Sequence, residues 1–92
     1  MSKLAAAGPN ADQIEFWNGE GGEKFVRYQN ALDLMLKPFG DEAIRRAGVK
    51  SGEAVLDIGC GCGDTSIDLA LAVGVTGEVV GVDISEPMLA RA

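Results

Sequence analysis

The chain has 92 residues, about one small domain, with little margin for a buried core. Eight Lys+Arg stand against 14 Asp+Glu, so the formal net charge is −6, a balance that argues against a nucleic-acid partner because an acidic surface repels phosphate backbones. There is no His, which removes the commonest general base and metal ligand, and two cysteines are too few for a disulfide scaffold.

Residues 1–10 are small and polar, with Gly8-Pro9-Asn10 as a breaker cluster, and are expected to form a mobile tail. They contain no secretory signal, and no stretch approaches the roughly 20 apolar residues of a membrane span. A cytoplasmic protein without membrane partners is the expectation. Asp12 is placed to cap a short helix ending at Trp17, and the run Asn18-Gly19-Glu20-Gly21-Gly22 reads as a flexible loop. From Glu23, apolar residues at Phe25, Tyr28, Leu32, Met35 and Leu36 recur in steps of three and four, which predicts an amphipathic helix to about Lys37. Pro38 should end it or offset the next segment. Asp41 to Ala47 is a second helical stretch, with Gly48 suited to the residue beyond its end.

The pattern changes at Val49. Ala54–Ile58 is a short, nearly all-apolar run of the kind that is buried on both faces of a parallel sheet. The turn Gly59-Cys60-Gly61-Cys62-Gly63 comes next, and Asp64-Thr65-Ser66 can cap a helix through Val73. Gly74 and Gly77 bracket a loop before a second strand, Glu78–Val82, which Asp83 ends. Ser85 can cap a further helix with Pro87 in its first turn. Strand, glycine-rich turn, helix and strand make one βαβ unit, with a right-handed crossover by default.

Three features fall at the carboxyl ends of the two strands, where doubly wound sheets bind ligands: Asp57, the G-x-G-x-G turn and Asp83. Glycines leave no Cβ between backbone and ligand. A carboxylate at the end of the second strand can accept hydrogen bonds from both hydroxyls of a ribose. Asp57 adds a negative charge that suits a ligand with cationic groups. The rival is a nicotinamide-dependent oxidoreductase, whose fingerprint is G-x-G-x-x-G with a pyrophosphate on the helix N-terminus. Here the third glycine comes one residue early, Asp64 stands in the sixth position, and two carboxylates flank a site meant for phosphate.

VLDIGCGCG (Val55–Gly63) resembles the first motif of class I S-adenosylmethionine-dependent methyltransferases, and VVGVDISEPMLARA (Val79–Ala92) resembles their second. The upstream FWNGEGGEKFVRYQNALDLMLKPFGDEAI is similar to the leader of bacterial small-molecule methyltransferases of the ubiquinone and menaquinone type. The resemblance implies an α/β, Rossmann-like parallel sheet with a helical leader or lid over 1–48 and the start of the cofactor domain over 49–92. The family's sheet usually has seven strands and this chain has two, so the fold is expected to be incomplete. The resemblance also implies roles. Gly59, Cys60 and Gly61 would approach the methionine part of S-adenosylmethionine, Asp57 would organise the turn and the amino group, Asp83 would hold the ribose, and Ile84 and Met88 would pack on the adenine. The acceptor would be a small molecule, with no metal, and no catalytic residue is assigned. A cofactor-binding module without catalysis is the alternative from another class. As a piece of a larger fold the chain should associate with itself and be inactive. For Trp17 and Arg27 two readings stay open: a lid with Trp17 over the site and Arg27 on a carboxylate, or an apolar helix face with a solvated arginine. Cys60 and Cys62 read as small residues in a crowded turn.

Overall fold

A computed structural model describes residues 5–92. The element order is α1 (Ala11–Asn18), α2 (Glu20–Arg27), α3 (Gln29–Ala47), β1 (Ala54–Ile58), α4 (Asp64–Val73), β2 (Glu78–Val82) and α5 (Glu86–Arg91). The expected tail over 1–10 lies partly outside the described residues, and residues 5–10 carry no helix or strand.

The two strands pair in parallel, with Ala54 opposite Glu78 and Ile58 opposite Val82. They are joined through α4, so the βαβ unit expected from the alternation of apolar runs and glycines is present, and the fold is a partial Rossmann-like α/β arrangement. The Glu78 amide donates to the Glu53 carbonyl at 3.1 Å and the Gly52 amide to the Val73 carbonyl at 2.7 Å, which fixes where both strands start relative to the end of α4. Gly77 has no room for a Cβ because Val73 fills that space. Val73 (1% exposed) and Leu69 (7%) of α4 and Met88 of α5 (9%) form the small apolar core.

Cover of the sheet is one-sided. The apolar run Ala54–Ile58 has the composition of a strand buried on both faces, but among the described residues α4 shields only the side of Val55, Asp57 and Val79. On the opposite side Leu56 is 58% and Ile58 78% exposed, with Val80 and Val82 also open. The described residues supply one helical layer to a sheet whose composition suits two.

The leader is also rearranged. No loop spans Asn18–Gly22: Gly19 alone interrupts the helix, and α2 starts at Glu20. Gly21 and Gly22 are buried there because a Cβ on Gly21 would enter the Phe16 ring, and one on Gly22 would meet Ser85 Oγ at 2.6 Å. These glycines serve close helix packing rather than a turn. The next helix breaks at Tyr28 and then runs unbroken through Pro38 to Ala47. A proline inside a helix removes one amide and crowds the preceding turn. Leu34, the residue whose carbonyl loses its partner, is 77% exposed, so water can take over that bond. No residue of α3 is buried, and Tyr28, Met35 and Leu36 of the expected apolar face lie exposed. Gly48 ends α3 in the left-handed conformation (φ 65°), as expected.

Two of the three expected caps are replaced. Asn10, not Asp12, precedes α1 and makes no side-chain cap bond. Gly63 precedes α4, again without a cap bond, and Asp64 falls inside the first turn. Ser85 does cap α5, accepting the Met88 amide at 3.4 Å, with Pro87 in the first turn.

Candidate functional site

The glycine-rich loop is held across the carboxyl ends of both strands by three backbone donors. The Gly59 and Cys60 amides share the Val82 carbonyl (2.7 and 3.0 Å), and the Gly61 amide donates to Asp83 Oδ2 at 2.8 Å. Gly59, Gly61 and Gly63 all have positive φ (76°, 56° and 90°), a region that costs an L-residue roughly 1–2 kcal/mol. The alternating glycines therefore let the chain fold back on itself within five residues. A Cβ on Gly59 would meet nothing within 4 Å, so its backbone faces open space.

That space is a cleft of about 520 Å³. Its floor is Gly59, Gly61 and Asp83. Ile58 and Val82 line one side, Ile84 and Met88 another, and Trp17 with Phe25 stands over it from α1 and α2. Among the described residues no Lys or Arg lines it, and Asp83 is the one ionisable side chain that does. Asp83 is half-buried and anchored twice, with Oδ1 accepting the Ser85 amide at 2.8 Å and Oδ2 accepting Gly61. A carboxylate has about four acceptor positions, so about two stay open toward the cleft.

Five of the seven residues singled out from the sequence, Gly59, Gly61, Asp83, Ile84 and Met88, thus meet at one cleft. Cys60 and Asp57 do not line it. Asp57 accepts the Ser66 hydroxyl at 2.7 Å, tying β1 to α4. Cys60 turns toward the sheet, and Gly81 must be glycine because a Cβ there would stand 2.9 Å from the Cys60 sulfur. Burial pushes the Cys60 thiol up, with Asp83 and Asp57 adding to the effect. Burial likewise raises Cys62, helped by Asp33. Neither thiol is a ready nucleophile.

A second cavity, about 190 Å³, lies between α3, α4 and the loop and is bordered by Cys60, Cys62, Asp33, Asp64 and Asp68. Burial raises Asp64 above the ordinary aspartate value. Asp33 and Asp68 add to this, and Lys37, which bonds Asp68 at 3.5 Å, opposes it.

Of the leader residues left open, Trp17 lines the cleft. Its indole Nε1 donates to Gln13 Oε1 at 3.0 Å and its ring meets Phe25 edge-on at 5.1 Å. Arg27 is exposed and makes no ion pair among the described residues. Sequence reasoning missed Phe25 as a cleft residue, since its helical spacing pointed only to an apolar face. It also missed Asn18, buried at 7% exposure, which lay in the presumed loop.

A family described as "Methyltransferase domain" matches residues 49–92, the stretch that holds both strands, the glycine loop and Asp83. Residues 49–92 are methyltransferase-domain sequence. Curated relatives extend the likeness into the leader. A demethylmenaquinone methyltransferase of Staphylococcus aureus is 41% identical over 81 residues, covering 87% of this chain and 34% of that protein. One of Staphylococcus saprophyticus is 43% identical over 67 residues (72% and 29%), and one of Oceanobacillus iheyensis is 46% identical over 56 residues (61% and 24%). The chain therefore spans between a quarter and about a third of the length of these methyltransferases. No solved structure matches. No helix among the described residues is long and apolar enough to cross a membrane.

Proposed function

We propose that this chain is the cofactor-binding front of an S-adenosylmethionine-dependent methyltransferase acting on a small molecule. The observation that carries the reading is the junction at the end of β2, where Asp83 is fixed by the Gly61 and Ser85 amides beside the bare backbone of Gly59. The residues fit the group. A cleft that, among the described residues, has one carboxylate and no cationic side chain suits a ligand bearing an ammonium and a sulfonium, and it disfavours a pyrophosphate. When bound, that ligand supplies an activated methyl on its sulfonium sulfur.

Asp83 would accept the ribose hydroxyls through its open positions, and Ile84 and Met88 would pack on the adenine. Gly59 and Gly61 would meet the methionine part by backbone, with Cys60 contributing its main chain only. Asp57 would act through the loop it supports. Trp17 and Phe25 would exclude water, so the chain's contribution is to hold the donor in one orientation for the acceptor. The relatives' names, which specify a demethylmenaquinone methyltransferase, support a small acceptor. Residues 1–48 would serve as leader and lid and 49–92 as the opening of the cofactor domain, in the cytoplasm. By itself the chain would transfer no methyl group and would associate through its open sheet face, where Ile58 is 78% exposed.

Calorimetric titration of the full-length protein with S-adenosylhomocysteine and with NAD tests the reading. Binding of the first alone is expected, and tight NAD binding without an adenosyl signal overturns it. Sedimentation of the chain tests the association, and a monodisperse monomer would refute it.

A further inference from the structure

The wall of the cleft that Trp17 provides comes from a helix far upstream in sequence, and one side chain fastens it there. Asn18 Nδ2 donates to the Ile14 carbonyl at 2.8 Å within α1 and to the Ile84 carbonyl at 2.6 Å. Its Oδ1 accepts the Glu86 amide at 2.9 Å. The carboxamide thus engages an acceptor and a donor two residues apart on the segment leaving β2, much as a peptide unit of a neighbouring strand would. Asp cannot supply the donor, and Ser is too short to reach both groups. The Ser85 hydroxyl adds a second tie by donating to the Trp17 carbonyl. On the receiving side, Ile84 lies between Asp83 and Ser85. On the giving side, Trp17 immediately precedes Asn18.

We propose that Asn18 is a positioning residue for the adenosyl ligand: by clamping α1 to the Ile84–Glu86 backbone, it holds the Trp17 wall at a fixed distance from Asp83. The inference rests on the adenosyl reading above and adds to it a residue that touches no ligand. Losing the clamp leaves the Ile84 carbonyl and the Glu86 amide without their buried partner and frees Trp17 to swing with α1. A mobile wall must be ordered again at each binding event, which lowers affinity.

The cleft residues described above and the clamp lie between Ile14 and Met88, and Trp17 is the sole tryptophan of the chain, so its emission reports on the wall. Asn18→Ala and the isosteric Asn18→Asp are compared with the unchanged chain by Trp17 emission, without ligand and during titration with S-adenosylhomocysteine. Circular dichroism checks that each variant is folded at the assay temperature. Without ligand, both variants should show red-shifted Trp17 emission. With ligand, affinity should fall about fivefold, the loss expected from about one net hydrogen bond, and the Trp17 response to binding should shrink. A purely structural Asn18 would lower the melting temperature and leave both Trp17 signals intact in the folded molecules, and that result overturns the proposal. Should the alanine variant fail to fold, the aspartate variant decides, because it keeps the size and the Glu86 acceptor. A full-length protein that ignores S-adenosylhomocysteine in calorimetry refutes the adenosyl reading instead. The ligand-free emission then still judges the clamp, and unshifted emission in the variants refutes it.

Discussion

Asp83→Asn separates two tasks that the structure gives to one carboxylate. Oδ1 takes the Ser85 amide and Oδ2 the Gly61 amide, each at 2.8 Å. Asparagine keeps the shape but has a single oxygen, so whichever way the amide turns, one backbone N–H faces an NH2 group. The cost is one hydrogen bond to a half-buried acceptor plus an unsatisfied donor, about 1–3 kcal/mol. For a chain of this size that is a fall of roughly 4–20 °C in melting temperature. Ligand affinity should drop at least tenfold as well, since a ribose acceptor is lost with it. Alanine would remove both backbone bonds at once, so a loss of binding in that variant would not distinguish ribose recognition from loop collapse. The assay is thermal unfolding by circular dichroism at matched protein concentration, together with amide hydrogen exchange at Gly61 and Ser85. A melting temperature within about 1 °C of the parent, with both amides equally protected, would refute the claim that Asp83 fastens the glycine loop.

A matched glycine pair tests the helix packing. Gly22→Ala should destabilise by about 1–3 kcal/mol in denaturant titration, because its methyl would press on the Trp17 carbonyl and on Ser85 Oγ. Gly40→Ala, whose Cβ would meet only Thr65 Oγ1 at 3.9 Å, should stabilise by roughly 0.5–1 kcal/mol. Asp64 binds its proton more tightly in the folded chain than in the unfolded one, so ionising it at neutral pH opposes folding. Asp64→Asn should therefore raise the melting temperature at pH 7, with the gain shrinking as pH falls through the raised value toward that of an ordinary aspartate. Cys60 and Cys62, both held above the usual thiol range, should react with a disulfide reagent at pH 7 more slowly than a free thiol and catch up on unfolding.

The second half of the chain was legible because its signals are local. Short β-branched runs bounded by glycines place β1 and β2, and Ser85 with Pro87 marks α5. The spacing of Gly59, Gly61 and Gly63 and the acid at 83 bring five expected residues to one cleft. The leader resisted because its determinants are distant in sequence. Gly21 and Gly22 have the composition of a loop, and only Phe16 and Ser85, packed against them, show why they are helical. Pro38 is a helix breaker by local rules, yet it sits in an exposed turn of α3, where water can reach the helix. Asn18 carries no pattern at all, since its partners lie at Ile84 and Glu86. Asp33, which the helical spacing from Glu23 did not mark, is half-buried and borders the same cavity as Asp64.

The Trp17–Ser85 and Asn18–Glu86 bonds each join residues 68 positions apart. During synthesis at roughly 5–20 residues per second, α1 waits about 3–14 s after emerging before its docking site exists. Closing a loop of that length carries an entropy cost on the order of 4 kcal/mol, met only when several contacts form together. The leader should thus dock last, onto a β1–α4–β2 unit already assembled, and until then its aromatic face, Phe16, Trp17 and Phe25, is open to whatever else binds apolar surface in a nascent chain.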